Sequence, residues 1–229
     1  MDERLLADRV AAVSALDEPI RRALFLHVSR SDSPVGKDEA AEALGLARST
    51  AAFHLDRLAD EGLLAVEFKR LTGRTGPGSG RPAKLYSRAG GEVAVTLPER
   101  HYEFAGQLLL AAIEESARTG VPARDALLRV AAETGRALGS DTGSLEQILE
   151  EYGYEPRADG DSGIVLGNCP FHRLALQHTD VVCHVNLELL RGAAEGSNDL
   201  RHTMVLDPAD GRCCVRAVPR QLPPASSRT

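Results

Sequence analysis

The chain has 229 residues, of which 43% are apolar and 26% charged, as is ordinary for a globular protein with one large core or two modest ones. No apolar run approaches the roughly 20 residues that span a bilayer, and Met1 leads directly into charged residues instead of a signal peptide. These features predict a cytoplasmic protein with no membrane partner. The net charge of −6 is unevenly spread, because residues 1–90 hold 14 Lys and Arg against 13 Asp and Glu, whereas residues 91–229 hold 13 against 20.

The N-terminal residues predict helices separated by short turns. Apolar residues recur at three- and four-residue steps from Leu5 to Ser29, with a break at Asp17 and Pro19. A short helix ends at Gly45, and a second one follows over residues 46–62. This spacing is typical of a helix-turn-helix, whose second helix reads DNA. The side chains expected near base edges and phosphates are those of Arg48, Ser49, Thr50, Phe53, His54 and Arg57.

A basic hairpin is predicted next. Residues 64–68 and 83–86 have strand patterns, and a glycine-rich segment joins them. Residues 69–88 contain no acidic side chain, and the glycines allow the backbone to lie close to a duplex. We interpret the hairpin as a DNA-binding wing, with Arg81 suited to a narrow minor groove. The basic residues assigned to DNA are Lys69, Arg70, Arg74, Arg81 and Lys84.

The first 90 residues resemble the winged helix-turn-helix regulators of the ArsR-like superfamily. The resemblance lies in residues 16–24, 43–55 and 61–64. It implies a homodimer that binds the two half-sites of a palindromic double-stranded operator. The alternatives are a winged helix that only contacts other proteins and a helical bundle that happens to carry Gly45.

Residues 97–119 predict a long helix that ends at Gly120. Its apolar stripe is wider than the small N-terminal domain can cover, and consists of Tyr102, Ala105, Leu108, Leu109, Ala112 and Ile113. The stripe is interpreted either as a dimer interface or as a surface that packs against a helix of the same chain over 122–138. A shorter helix is expected over 144–152.

The remaining residues predict a small α+β domain. Strands are expected over 154–157 and 164–166, a helix over 171–192, and a hairpin over 200–206 and 212–218. The expected fold is therefore mainly α with an α+β part. It comprises a winged helix over 1–90, a helical linker and dimerisation region over 91–142, a sensor domain over 143–218 and a flexible tail over 219–229.

All four cysteines lie in the predicted sensor domain. In a reducing compartment, such clustering indicates metal ligands or redox-active thiols more than structural disulfides. Cys169 is expected at a helix N-terminus, which favours its thiolate. Because adjacent strand residues point to opposite faces, Cys213 and Cys214 are not expected to bind one small centre together unless a bulge intervenes, and one of them is expected to be a bystander. The predicted ligands are Cys169, His172, Cys183 and Cys213, with Cys214 and His184 as substitutes, and this set suits zinc and an iron-sulfur cluster equally.

The sequence 168–172, together with Cys183 and residues 210–213, resembles the C-terminal region of SufR-type iron-sulfur repressors. The resemblance implies a dimer that binds a cluster through three cysteines and represses genes when the cluster is loaded. Two alternatives are four buried cysteines that act only as small apolar side chains, and a metal-free regulator that binds an organic effector. An enzyme is disfavoured, because the sequence lacks phosphate-binding, dinucleotide-binding and nucleophile-elbow motifs.

Overall fold

The computed structural model describes residues 3–70, 82–160 and 163–220. The chain divides into two compact units, with the boundary between Val95 and Thr96. Each unit combines helices with a small antiparallel sheet, so the fold is mixed α and β. Across those three ranges, no helix is long and apolar enough to cross a membrane.

The N-terminal unit consists of helices followed by a hairpin. Its elements are α1 (Glu3–Ala15), α2 (Pro19–Ser29), β1 (Val35–Gly36), α3 (Lys37–Leu44), α4 (Arg48–Asp60), β2 (Leu64–Lys69) and β3 (Ala83–Arg88). The strands form an antiparallel sheet in the order β1-β3-β2. The sequence did not indicate β1, because a strand of two residues has no detectable periodicity. The segment 71–81, with the predicted DNA contacts Arg74 and Arg81, lies outside the described residues.

Local capping explains where these helices begin and end. The Glu18 carboxylate accepts hydrogen bonds from the N–H groups of Ile20 and Arg21, at 3.1 and 2.6 Å, and so caps α2. The α3 helix ends at Gly45, whose φ of 62° lies in the left-handed region that glycine adopts easily. Both the break before α2 and the end of α3 are therefore confirmed.

The C-terminal unit begins with two long helices and continues as a four-stranded sheet with further helices. Its elements are α5 (Tyr102–Thr119), α6 (Ala123–Thr142), α7 (Leu145–Glu151), β4 (Pro156–Asp159), β5 (Gly163–Leu166), α8 (His172–Gln177), α9 (Thr179–Gly196), β6 (His202–Leu206) and β7 (Val215–Pro219). The sheet order is β4-β5-β7-β6, antiparallel throughout. The single helix predicted over 171–192 is wrong, because His178 has a non-helical φ of −134° that separates α8 from α9.

The α6 and α9 helices approach so closely that their backbones touch. A Cβ atom at Gly135 of α6 would overlap the carbonyl oxygen of Leu189, and one at Gly192 of α9 would overlap that of Ala132. This contact places α6 in the same compact unit as the cysteines. Most of the region 91–142, which the sequence suggested as a separate linker, therefore lies in one compact unit with the predicted sensor domain, from residue 96 onward.

Within the part of the chain that the structure describes, the α5 helix is covered on one side only. Leu108 and Ala112 are buried against Ala126 and Leu127 of α6, as the intrachain interpretation of the stripe expected. On the other side three large apolar side chains remain exposed, namely Leu109, Leu110 and Ile113.

Candidate functional site

The four cysteines form two pairs beside the start of β7. Cys183 of α9 and Cys214 form a disulfide, with their Cα atoms 6.3 Å apart. Cys169 and Cys213 are free and buried, and the Cys213 thiol donates a hydrogen bond to the Cys169 sulfur. The fold thus pairs the predicted ligands Cys169 and Cys213 with each other, and the predicted ligand Cys183 with the substitute Cys214.

Both adjacent cysteines face the same side of α9. Cys214 is bonded to Cys183, while the Cys213 sulfur accepts a hydrogen bond from Asn186 Nδ2 at 3.2 Å. Residues 183 and 186 are one helical turn apart and so share a helix face. The two adjacent cysteines therefore have different sulfur partners, and which of them would be a metal ligand stays a prediction. Strand alternation does not apply, because β7 begins only at Val215.

Asn186 organises the buried end of the cluster, and its role was not predicted from the sequence. It is fully buried, and its Oδ1 accepts a hydrogen bond from the Tyr154 hydroxyl at 2.6 Å. The backbone N–H of Val215 also points at the Cys213 sulfur, with N and Sγ 3.5 Å apart. The sequence did contain a signal for this role, namely a single side-chain amide among the apolar residues of α9. A buried amide requires hydrogen-bond partners, so it indicates a buried polar contact.

The free pair is electrostatically asymmetric. The hydrogen bond from Cys213 lowers the pKa of Cys169 despite its burial, and the Phe171 N–H and the Arg100 charge act in the same direction. The pKa of Cys213 is raised by donating that bond and by burial. Cys169 is therefore the more acidic thiol of the pair. Cys169 lies three residues before the first residue of α8, His172, and the N–H that acts on its sulfur is that of Phe171, the N-cap residue of this helix.

The two histidines proposed as ligands make other contacts. His172 is exposed, and its backbone N–H donates to the carbonyl oxygen of Cys169 at 3.0 Å. The His184 ring lies 2.6 Å from the backbone oxygen of Asp180 and 3.2 Å from its carboxylate. Over residues 3–70, 82–160 and 163–220, no group of three or more His, Cys, Asp or Glu side chains is arranged to hold a metal ion.

The predicted DNA-reading helix is α4. Its inner face is fully buried and consists of Ala51, Leu55 and Leu58. Its outer face exposes Arg48, Ser49, Phe53 and Arg57, while Thr50 and His54 are partly buried. Arg48 pairs with Asp38 at 3.2 Å and Arg57 with Glu61 at 2.7 Å. Because both arginines remain more than half exposed, these surface pairs hold them only weakly.

The basic side chains of the hairpin differ in exposure and in whether a carboxylate holds them. Lys69 and Arg70 are exposed. Lys84 donates to Asp56 of α4 at 2.5 Å, and Tyr86 donates to the same carboxylate at 2.6 Å. Although burial opposes it, these hydrogen bonds lower the pKa of Asp56. Lys84 therefore links the base of the hairpin to α4.

Comparison with known proteins finds no matching family model, no matching curated protein and no matching solved structure. The function is therefore inferred from the residues and their geometry.

Proposed function

We propose that the chain is a cytoplasmic, homodimeric transcriptional repressor whose affinity for DNA is controlled by an iron-sulfur cluster, or alternatively zinc, at its C-terminal cysteines. The observation that carries the proposal is that the fold places two pairs of cysteines against α9, Cys183 with Cys214 and Cys169 with Cys213. Sulfur ligands of this kind suit both iron-sulfur clusters and zinc.

The N-terminal unit supports the DNA-binding part of the proposal. Its order of elements is that expected of a winged helix-turn-helix, with α3 and α4 as the paired helices and the β2–β3 hairpin as the wing. The exposed face of α4 combines two arginines, a hydroxyl group and Phe53 over a buried apolar face. Such a face supplies both phosphate and base contacts.

The donor set fits the proposed sensor group in its chemistry. Cys169, Cys183 and Cys213 would hold the group, and Cys214 is better placed than His172 as a fourth ligand. The N–H groups of Asn186, Val215 and Phe171 point at sulfur, as donors do around thiolate ligands. Cys183 and Cys214 must first be reduced. When bound, an iron-sulfur cluster would supply sensitivity to redox state and iron supply.

The exposed side of α5 supports a homodimer. Leu109, Leu110 and Ile113 lie on one long helix without a covering element among the residues that the structure describes. A second copy of the chain would bury them and give the two-fold symmetry that a palindromic operator requires. The two binding equilibria are then linked. If the bound cluster changes the affinity of the protein for its operator, the bound operator changes the affinity of the protein for the cluster by the same factor.

The sensor is tested by metal analysis of protein purified without oxygen. We expect iron with sulfide and broad visible absorbance, or one zinc per chain, and loss of either in Cys169→Ser and in Cys183→Ser. His172→Ala is the matched control and should retain the metal. A wild-type protein without metal, or undiminished metal in both cysteine variants, would overturn this part.

The DNA assignment is tested on duplexes selected from a random pool. Arg48→Ala and Arg57→Ala should each weaken binding to the selected sequence by about 1–3 kcal/mol. Lys69→Ala should weaken binding to every duplex and reduce the salt slope by about 1. Arg9→Ala, an exposed arginine on α1, is the matched control. Unchanged affinity in the first three variants would remove the DNA assignment.

A second candidate is a metal-free regulator that binds an apolar effector. A pocket in the C-terminal unit favours it, because its lining is entirely apolar: Ala105, Leu108, Leu109, Leu127, Phe171, Leu174, Val181, Val182 and Val185. Metal-free protein that binds its operator with full affinity would support this candidate over the first.

A further inference from the structure

We infer that residues 99–101 form a latch that couples the Cys169 loop to the chain segment leading to the N-terminal unit. The inference deepens the proposed function and rests on it for its biological meaning. Two positioning residues hold the latch and the loop together: Arg100 in the latch and Asn168 in the Cys169 loop. The segment follows the boundary at Thr96 by three residues and leads directly into α5.

Side-chain hydrogen bonds join the latch to the Cys169 loop. Asn168 is buried, and its Nδ2 donates to the carbonyl oxygens of Glu99 at 3.1 Å and Gly153 at 2.6 Å. Its Oδ1 accepts from Arg100 Nη1. The same Arg100 nitrogen donates to the carbonyl oxygen of Cys169 at 3.3 Å. Both N–H groups and the oxygen of the Asn168 side-chain amide are therefore hydrogen-bonded.

Backbone hydrogen bonds and packing contacts also join these segments. The N–H of His101 donates to the carbonyl oxygen of Pro170 at 3.2 Å. The side chain of Glu99 lies against Gly153, where an added Cβ would come within 2.9 Å of the Glu99 Cβ. Three consecutive residues, 99–101, thus contact three consecutive residues, 168–170, and Cys169 is the middle one.

Through these contacts, a structural change at the sulfur of Cys169 can be transmitted to the connecting segment. A change in what the sulfur binds alters the path of its loop, and the carbonyl groups of Cys169 and Pro170 then shift relative to Arg100 and His101. Because the latch lies between the domain boundary and α5, its opening would free the connecting segment and the proposed dimer helix together. Coupling of this kind requires an element with two arrangements, which the latch supplies as bonded and open.

The latch is tested on the full-length, reduced protein without metal. Two readouts are used: amide hydrogen exchange over residues 96–105, and the rate at which iodoacetamide alkylates Cys169, followed by mass spectrometry. Alkylation is measured at a pH above the ordinary thiol pKa, so that loss of the Arg100 charge does not change the rate through ionisation of Cys169. Arg100→Gln should accelerate both by about tenfold, because charged hydrogen bonds are lost. Arg124→Gln removes an ion pair with Asp180 in the same unit, and as the matched control it should change neither rate.

Reciprocity gives the second arm of the test. Alkylation of Cys169 in the wild-type protein should accelerate exchange over 96–105, and in Arg100→Gln it should add nothing further. Arg100→Lys, which keeps a donor and the charge, should restore much of the wild-type behaviour and serves as the variant of choice if Arg100→Gln does not fold.

Two results would overturn the latch: an unchanged alkylation rate in Arg100→Gln, or equal acceleration at Cys183, which would indicate general loosening. Neither readout involves DNA. If the protein binds no duplex in any form, the proposed function fails, while the alkylation and exchange rates still decide whether the latch exists.

Discussion

Asn186 donates a hydrogen bond to the sulfur of Cys213 across 3.2 Å while its carbonyl oxygen accepts one from the buried Tyr154 hydroxyl. One amide thereby joins the cysteine cluster to the hydrophobic core of the C-terminal unit. The environment of Cys213 depends on a residue 27 positions away in sequence.

Replacing Asn186 by leucine should expose this dependence. Asn186→Leu leaves the Tyr154 hydroxyl buried without an acceptor, which should lower the free energy of unfolding by about 1–3 kcal/mol. Adding Tyr154→Phe should recover part of the loss, because the hydroxyl is then absent. Urea unfolding of the two single variants and the double variant measures the coupling, and strictly additive losses would contradict it.

The Cys183–Cys214 disulfide should stabilise the oxidised protein. It joins residues 31 positions apart, and the chain-entropy relation gives about 3–4 kcal/mol for a loop of this size. A thiol-free reductant should therefore lower the melting temperature of the wild-type protein. Cys214→Ser should melt equally with and without reductant, and peptide mapping should find Cys183 linked to Cys214. A linkage between Cys169 and Cys213 would contradict the pairing.

Cys169 should react as a thiolate at a lower pH than an ordinary cysteine. Its pKa is lowered mainly by the hydrogen bond from Cys213, so the pH profile of its alkylation should shift downward, and Cys213→Ala should move it back up. A lowered pKa in the folded state adds stability above the thiol pKa of the unfolded chain. That contribution is lost as the pH falls through the folded pKa. An alkylation profile that matches free cysteine would contradict the prediction.

The close contact between α6 and α9 should not tolerate a methyl group. Gly135→Ala would push a Cβ into the Leu189 carbonyl, and should destabilise the protein by about 1–3 kcal/mol. Gly106→Ala on α5 is the matched control, because a Cβ there meets no atom within 4 Å. This control should instead stabilise the protein by about 0.5–1 kcal/mol, since alanine is the better helix former. Thermal unfolding of both variants separates the outcomes, and equal melting temperatures would contradict the contact.

Much of the secondary structure could be predicted because its signals are local. The Pro19 start of α2, the Gly45 end of α3 and the Gly120 end of α5 each depend on residues within one turn. The final hairpin, β6 and β7, was likewise predicted to within three residues at its ends. The break at His178 was missed, since apolar spacing continues on both sides of it.

The sequence by itself determined that the cysteines cluster in the second half and that the basic helix and hairpin lie in the first. Only the tertiary structure decided that Cys214 meets Cys183, that Cys213 meets Cys169, and that Asn186 lies between a tyrosine and a thiol. Periodicity and capping report interactions over a few residues. Pairings between residues tens of positions apart depend instead on how the α6–α9 helix pair and the sheet pack, and no local pattern contains that information.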